Sequence, residues 1–221
     1  MSSIAERRLE EKERRRAEIL DAVEAVAAVT GWDAMTMDEV ARKARLSRAL
    51  VYVYFKDKND LLFGIGERSL TLLHRMFEAA VAAHETGLDQ IAAVGRAYLE
   101  FSKKFPVYFA VLVRCELSSP DAVASGTNEW SCMVVGDAVQ DMMVAVIEKG
   151  MRDGSIDAKA GDARVIAVVL WGFLHGVIQL ATSKANLLAH RGLDLALLMG
   201  QAMAQATRSI AANPSTSSRP V

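Results

Sequence analysis

Apolar positions recur along this chain at three- and four-residue spacing almost throughout, the period that lays one stripe down a helix, and strand-like alternation is nearly absent. Ile19, Val23, Val26 and Thr30 form the first stripe, and Gly31 follows where a helix-ending glycine belongs. The pattern then predicts two short helices, one opening at Thr36 and one at Ser47, and a long helix from after Asp57 to before Thr86-Gly87. Further helices are expected over about 88–104, halted by Phe105-Pro106, and from there to about 117. Ser118 to Thr127, with Pro120 and Gly126, reads as a flexible link, and helices follow over about 128–152, 160–184 and 192–211. Residues 212–221 read as a disordered polar tail. The fold class is all-α, with about nine helices and no internal repeat.

Composition supports a packed protein: of 221 residues 52% are hydrophobic and 24% charged. The net charge of −1 gives no global sign of nucleic acid, so a DNA-binding surface has to be locally basic. The N-terminus is charged where a secretory signal needs an apolar segment, so a cytoplasmic location is expected. Val165 to Ser183 holds no Lys, Arg, Asp or Glu, but it carries Gly172, His175, Gly176, Gln179, Thr182 and Ser183 and fits a helix buried on two sides better than a membrane span. Cys115 and Cys132 form no CxxC pair and are expected as buried, reduced thiols. His74, His84, His175 and His190 do not cluster with carboxylates, and GxSxG, HExxH and phosphate-loop patterns are missing from the sequence. No metal, cofactor or catalytic residue is expected, and the chain does not read as an enzyme.

The informative stretch is TMDEVARKARLSRALVYVYFKDKNDLL, Thr36 to Leu62. Thr36 with Glu39 three residues on is a capping box, and Val40, Ala41 and Ala44 give that helix its inner face. A brief turn at Arg45-Leu46 leads to Ser47, a second N-cap. Two short helices joined by a tight turn form a helix-turn-helix, whose second helix enters the major groove of DNA, although the spacing alone equally allows an ordinary helical corner. The second helix points further. Val51 and Phe55 share its inner face, while Ala49, Tyr52 and Val53 point outward. Two apolar groups and a tyrosine facing out suit close approach to DNA and contact with thymine methyls. Residues 36–58 also hold six basic side chains (Arg42, Lys43, Arg45, Arg48, Lys56, Lys58) against three acidic ones.

From Ala17 to Leu62 the chain resembles the N-terminal DNA-binding domain of TetR-family transcription regulators. The resemblance rests on Gly31-Trp32 after the first helix, Thr36 opening the second, Tyr52-Val53-Tyr54-Phe55 ending the third, and Lys58 with Leu61-Leu62 opening the fourth. It implies a three-helix DNA-binding domain over 1–60, in which 1–15 is a charged arm, and a helical ligand-binding and dimerisation domain over 61–211. By the same resemblance Thr36, Ser47, Arg48, Tyr52 and Lys58 fall on positions that touch DNA, joined by Ala49, Leu50 and Val53 on the reading helix. Arg48 is expected to bond guanine or a phosphate, and Tyr52 and Lys58 to hold phosphates. Four positions depart from the family pattern: Arg45 stands where glycine is usual, Ala49 where glycine is frequent, and Leu50 and Val53 where polar groups are frequent. The run RRLEEKERRR invites a reading as an arm in the DNA minor groove, but a solvated extension of the first helix is the favoured reading, because Glu6, Glu10, Glu11 and Glu13 offset much of its positive charge.

The resemblance implies a homodimer on a palindromic operator, released by a small hydrophobic or aromatic ligand. The apolar 165–183 helix and the small-residue stripe Ala196, Gly200 and Ala204 independently place the dimer face on the last two helices. Candidate pocket residues are Tyr98, Phe101, Tyr108, Phe109, Trp130, Met133, Trp171, His175 and Gln179, residue types that more often serve plain core packing, with His175 or Gln179 as polar anchor. The alternative is a helix-turn-helix protein with no small-molecule ligand, controlled by protein partners.

Overall fold

The computed structural model describes residues 4–115 and 118–212. The chain forms ten α-helices among the described residues: α1 (Ile4–Thr30), α2 (Met37–Ala44), α3 (Arg48–Tyr54), α4 (Lys58–Ala82), α5 (Gly87–Lys104), α6 (Pro106–Arg114), α7 (Asn128–Asp153), α8 (Ala163–Ser183), α9 (Ala185–His190) and α10 (Leu195–Ile210). The only strand-like pairing described is a single antiparallel bridge between Ile156 and Ala211. The all-α reading therefore holds, with one helix more than expected. The extra element is α9, whose six residues are too few to show a helical period.

Several boundaries move. Helix α1 runs unbroken from Ile4, so the charged run extends the first helix, as the favoured reading of the sequence expects. Helix α6 ends at Arg114, and the link contains a 3₁₀ turn at Pro120–Ala122. The expected tail lies outside the described residues except for Ala212. Gly31 has φ 77° and its N–H bonds back to Ala27 O at 2.9 Å, closing α1 as its position in the sequence predicts.

The described residues fall into two compact units, one drawn from 1–71 and 105–135, the other from 72–104 and 136–221. The first contains α1 to α3, the start of α4, α6 and the first turns of α7, and so takes in more chain than residues 1–60. Its core gathers Ile19, Leu20, Val23, Met35, Val40, Val51, Phe55, Leu61 and Ile65, with Val111 from α6. Gly66 is needed here for space, since a Cβ would stand 2.8 Å from the sulfur of Cys132 and 2.9 Å from that of Cys115. Cys132 is buried and Cys115 half-buried, and both are free thiols. The hydrogen bond between them and its burial push the Cys115 thiol up.

In the second unit α5, α8 and α10 pack together. Gly87 begins α5 directly against Gly150 of α7: a Cβ on Gly87 would lie 2.3 Å from the Gly150 backbone. Ile166, Ala167, Leu170 and Ile178 turn one face of α8 inward. Its other face carries Val165, Val168, Val169, Trp171 and Leu180 exposed, with open space above Gly172 and Gly176. Helices Asn128–Asp153 and Ala163–Ser183 are long and apolar enough to cross a membrane by length and composition alone.

Candidate nucleic-acid interface

The angle between α2 and α3 is set by their caps. Thr36 N–H donates to Glu39 Oε2 at 2.8 Å, and Glu39 N–H donates to Thr36 Oγ1 at 3.3 Å, so the capping box is complete. The bonds from the Thr36 side chain and backbone hold the Glu39 carboxyl below its usual range. Ser47 Oγ accepts from Leu50 N–H at 3.2 Å and opens α3. Between them Arg45 is in the left-handed region, φ 57° and ψ 38°. Glycine alone adopts that conformation without strain, so the departure seen in the sequence coincides with real backbone strain.

Buried Val51 and Phe55 anchor the inner side of α3, as their spacing predicts. Outward stand Arg48, Ala49, Tyr52 and Val53, the last 77% exposed, while Leu50 is half-buried. Arg48 does not project freely. Its Nε lies 3.1 Å from Asp38 Oδ1, its NH2 3.5 Å from Tyr52 Oη, and its guanidinium sits 5.5 Å from the Tyr52 ring centroid. The bond to Tyr52 and the charge of Asp38 raise its pKa further. Lys58 Nζ donates to Asp33 O at 2.9 Å and stands over the Trp32 ring, tying the start of α4 to the α1–α2 loop. Thr36 and Ser47 thus serve as helix caps, with Arg48, Ala49, Tyr52 and Val53 forming the accessible face.

Sequence reasoning missed the network that supports this face. Asp60 accepts from Lys56 N–H at 3.0 Å and from Asn128 Nδ2 at 3.1 Å, and Arg16 NH2 donates to Asn128 Oδ1 at 3.0 Å and to Glu67 at 2.5 Å. The corner after α3 is thereby bonded to the first residue of α7, a partner 68 positions away that no local pattern announces.

The pocket candidates separate into two groups. In the first unit Phe109 is buried, Trp130 and Met133 lie partly exposed on the first turns of α7, and Tyr108 Oη donates to Glu24 Oε1 at 2.7 Å. Burial, then the Glu24 bond, pushes the Tyr108 hydroxyl up to about 12. In the second unit Trp171 Nε1 donates to Tyr98 Oη at 3.4 Å, and Tyr98 Oη lies 2.5 Å from His175 Nδ1. Burial lowers the His175 pKa, which favours the neutral imidazole, and raises that of Tyr98. Phe77 meets Tyr98 edge-on and Phe101 stacks beside it, while Gln179 is exposed on α8.

Residues 19–65 match the model of bacterial regulatory proteins of the tetR family, and residues 91–204 match the Tetracyclin repressor-like C-terminal domain. The chain belongs to the TetR family. An uncharacterised HTH-type transcriptional regulator of Mycobacterium tuberculosis is 25% identical over 151 residues, 67% of this chain but 58% of its own length. The chain therefore spans under two thirds of that relative. A protein of unknown function from Rhodococcus superposes with TM-score 0.70 at 24% identity, covering 89% of this chain and 95% of its own. FadR of Bacillus subtilis, solved with stearoyl-CoA, superposes at 0.65 with 18% identity, covering 88% and 98%. The ketosteroid regulator KstR2 of M. tuberculosis superposes at 0.61 with 16% identity, covering 90% and 96%. The TetR family and these named regulators control transcription and are not enzymes. The family match runs through both α7 and α8, so their membrane-like composition belongs to a regulatory domain.

Proposed function

We propose that this TetR-family chain is a cytoplasmic repressor that binds a palindromic operator as a homodimer and leaves it when a small carbon-rich ligand binds. The observation that carries the DNA reading is the outer face of α3. Two capped helices hold it at a fixed angle, its apolar groups stand clear of the core, and Arg48 is the one guanidinium on it. Arg48 suits guanine O6 and N7, Ala49 and Val53 suit thymine methyls, and Tyr52 suits a phosphate. Lys58 is a phosphate contact of the same kind once it releases Asp33.

Dimerisation is supported by the exposed apolar stripe of α8 and by α10, where Ala196 and Gly200 are exposed and Ala204 is half-buried, with open space above Gly200. Such a stripe is far more apolar than a solvated helix face needs to be. The ligand reading is supported by the aromatic group around Tyr98, Trp171 and His175. The stearoyl-CoA complex and the ketosteroid regulator among proteins of the same fold suggest an acyl or polycyclic molecule. Such a ligand must favour the arrangement that does not fit DNA, and the Asp60–Asn128 bond at the start of α7 is a route by which α7 bears on the reading helix.

Duplexes retained by the protein from a randomised library test the reading. The expected product is an inverted repeat with half-sites about one helical turn apart. On it Arg48→Ala loses about 1–3 kcal/mol at one base pair, whereas Lys58→Ala weakens operator and random DNA alike. Recovery of no common sequence, or equal losses for Arg48→Ala on operator and random DNA, refutes it.

A further inference from the structure

The chain holds two cysteines, Cys115 and Cys132, and folding brings both sulfurs onto one spot. Cys115 caps α6 and Cys132 lies in the second turn of α7. Both sulfurs press on the α4 backbone at Gly66, where a Cβ would stand 2.8 Å from one and 2.9 Å from the other. The bare glycine is what gives them room to meet, and they hydrogen-bond to each other. The two thiols differ in what each can do. Cys132 is buried and fixed within a helix, and the hydrogen bond from Cys115 holds its thiol below the usual range against burial and the Glu67 and Glu129 carboxylates. A thiol held down in this way is the readier nucleophile. Cys115 is half-buried and follows the last helical residue with an extended backbone, φ −71° and ψ 91°, so it has both access to solvent and freedom to swing.

We propose that Cys115 and Cys132 form a redox site at which a hydroperoxide closes an intramolecular disulfide, and that closure loosens the corner after α3. The oxidant enters beside Cys115. The Cys132 thiolate attacks the peroxide oxygen, the O–O bond breaks, and the departing oxygen takes a proton and leaves as water or an alcohol. Cys115 then attacks the Cys132 sulfenic acid: the S–S bond forms, the S–O bond breaks, and the hydroxide leaves as water with the Cys115 proton. Two electrons pass from the sulfurs to the peroxide. Bonding draws the sulfurs to about 2.05 Å, and the pull falls on the start of α7, where Asn128 lies one turn before Cys132. Asn128 donates to Asp60 at 3.1 Å, and Asp60 in turn accepts from Lys56 N–H at 3.0 Å. The disulfide therefore competes with the bonds that fix the turn between α3 and α4. Its consequence for DNA rests on the DNA-binding reading, but its chemistry does not.

The test treats the full-length chain with hydrogen peroxide and compares it with the reduced chain and with Cys115→Ala and Cys132→Ala. Because the chain has no third cysteine, loss of two hydrogens by mass spectrometry, in a species that runs as a single chain on a non-reducing gel, identifies the Cys115–Cys132 bond. Dithiothreitol should reverse it. Oxidation is expected to speed amide exchange at Lys56 about ten-fold and to weaken binding to the selected operator about ten-fold, within the usual range for coupled sites. Neither single-cysteine variant should change by either measure. Thiols that stay free, or that give only crosslinks between chains, overturn the redox site. A disulfide that leaves Lys56 exchange unchanged, or an equal response in a single-cysteine variant, overturns its link to the corner. A reduced chain that retains no duplex overturns the DNA-binding reading instead, while mass and exchange still judge this site.

Discussion

Replacing Arg45 by glycine is expected to stabilise the protein. Leu46 N–H bonds to Ala41 O at 3.0 Å and Arg45 N–H to Arg42 O at 3.2 Å, the pair of bonds by which a left-handed residue closes a helix. Arg45 takes that role with φ 57°, where a Cβ crowds the backbone at a cost of about 1–2 kcal/mol. Glycine removes the crowding but gains freedom in the unfolded chain, which returns about 0.4–1 kcal/mol. The difference is a stabilisation of about 0.5–1 kcal/mol, a rise of roughly 1–4 °C in Tm for a chain of this length.

The decisive comparison is a series at this one position. Asparagine tolerates the left-handed region and should recover part of the gain, whereas alanine keeps the Cβ and should recover none. Urea unfolding followed by circular dichroism gives the order, and amide exchange over residues 36–56 shows that the change is local to the turn. An alanine variant as stable as the glycine variant shows that the strain lies in the arginine side chain and refutes the backbone argument. A glycine variant no more stable than wild type refutes it as well. DNA affinity is a separate readout, because every member of the series loses the same cation.

Two further outcomes follow from packing and titration in the second unit. Gly87→Ala drives a Cβ to 2.3 Å from the Gly150 backbone and 2.7 Å from Val146 O, so α5 and α7 must part; a loss of about 3 kcal/mol in urea unfolding is expected, and a loss under 0.5 kcal/mol contradicts the close crossing. His175 is held below its ordinary value near 6.5 by burial, so the unfolded chain takes up its proton first: the stability contributed by neutral imidazole is complete above about pH 6.5 and lost as pH falls through the folded value. His175→Gln should flatten that acid limb of the stability–pH curve, and parallel curves for variant and wild type exclude the assignment.

What could be read from the sequence was what neighbours along the chain decide. The Thr36–Glu39 box, the Val51/Phe55 face, the Gly31 stop and the apolar 165–183 helix all express contacts within one or two turns, and the structure keeps each. What escaped depends on residues far apart. Gly87 looks like a turn glycine, yet its constraint is Gly150 on another helix. Asn128 looks like a helix opener, yet its side chain bridges Asp60 and Arg16. Thr36 and Ser47 were legible twice over, as caps and as DNA contacts by resemblance, and their hydroxyls are occupied in capping.

Arg48 shows why the location of charge matters more than its count. Residues 36–58 carry twice as many bases as acids, but the base best placed to read DNA is paired with Asp38 on the same face. That pair is exposed, so its own contribution to stability is small. Its effect falls on recognition, because Asp38 and Tyr52 restrict where the guanidinium can point and Asp38 repels any phosphate drawn toward it. A reading helix built this way gains direction for Arg48 and forgoes part of its electrostatic pull. The missing pull has to come from cations that approach the backbone without an acid beside them. Lys58, at the start of α4, is held by the neutral Asp33 carbonyl. On the DNA-binding reading, sequence preference and affinity are therefore carried by different elements: α3 for the first, and the start of α4 for the second.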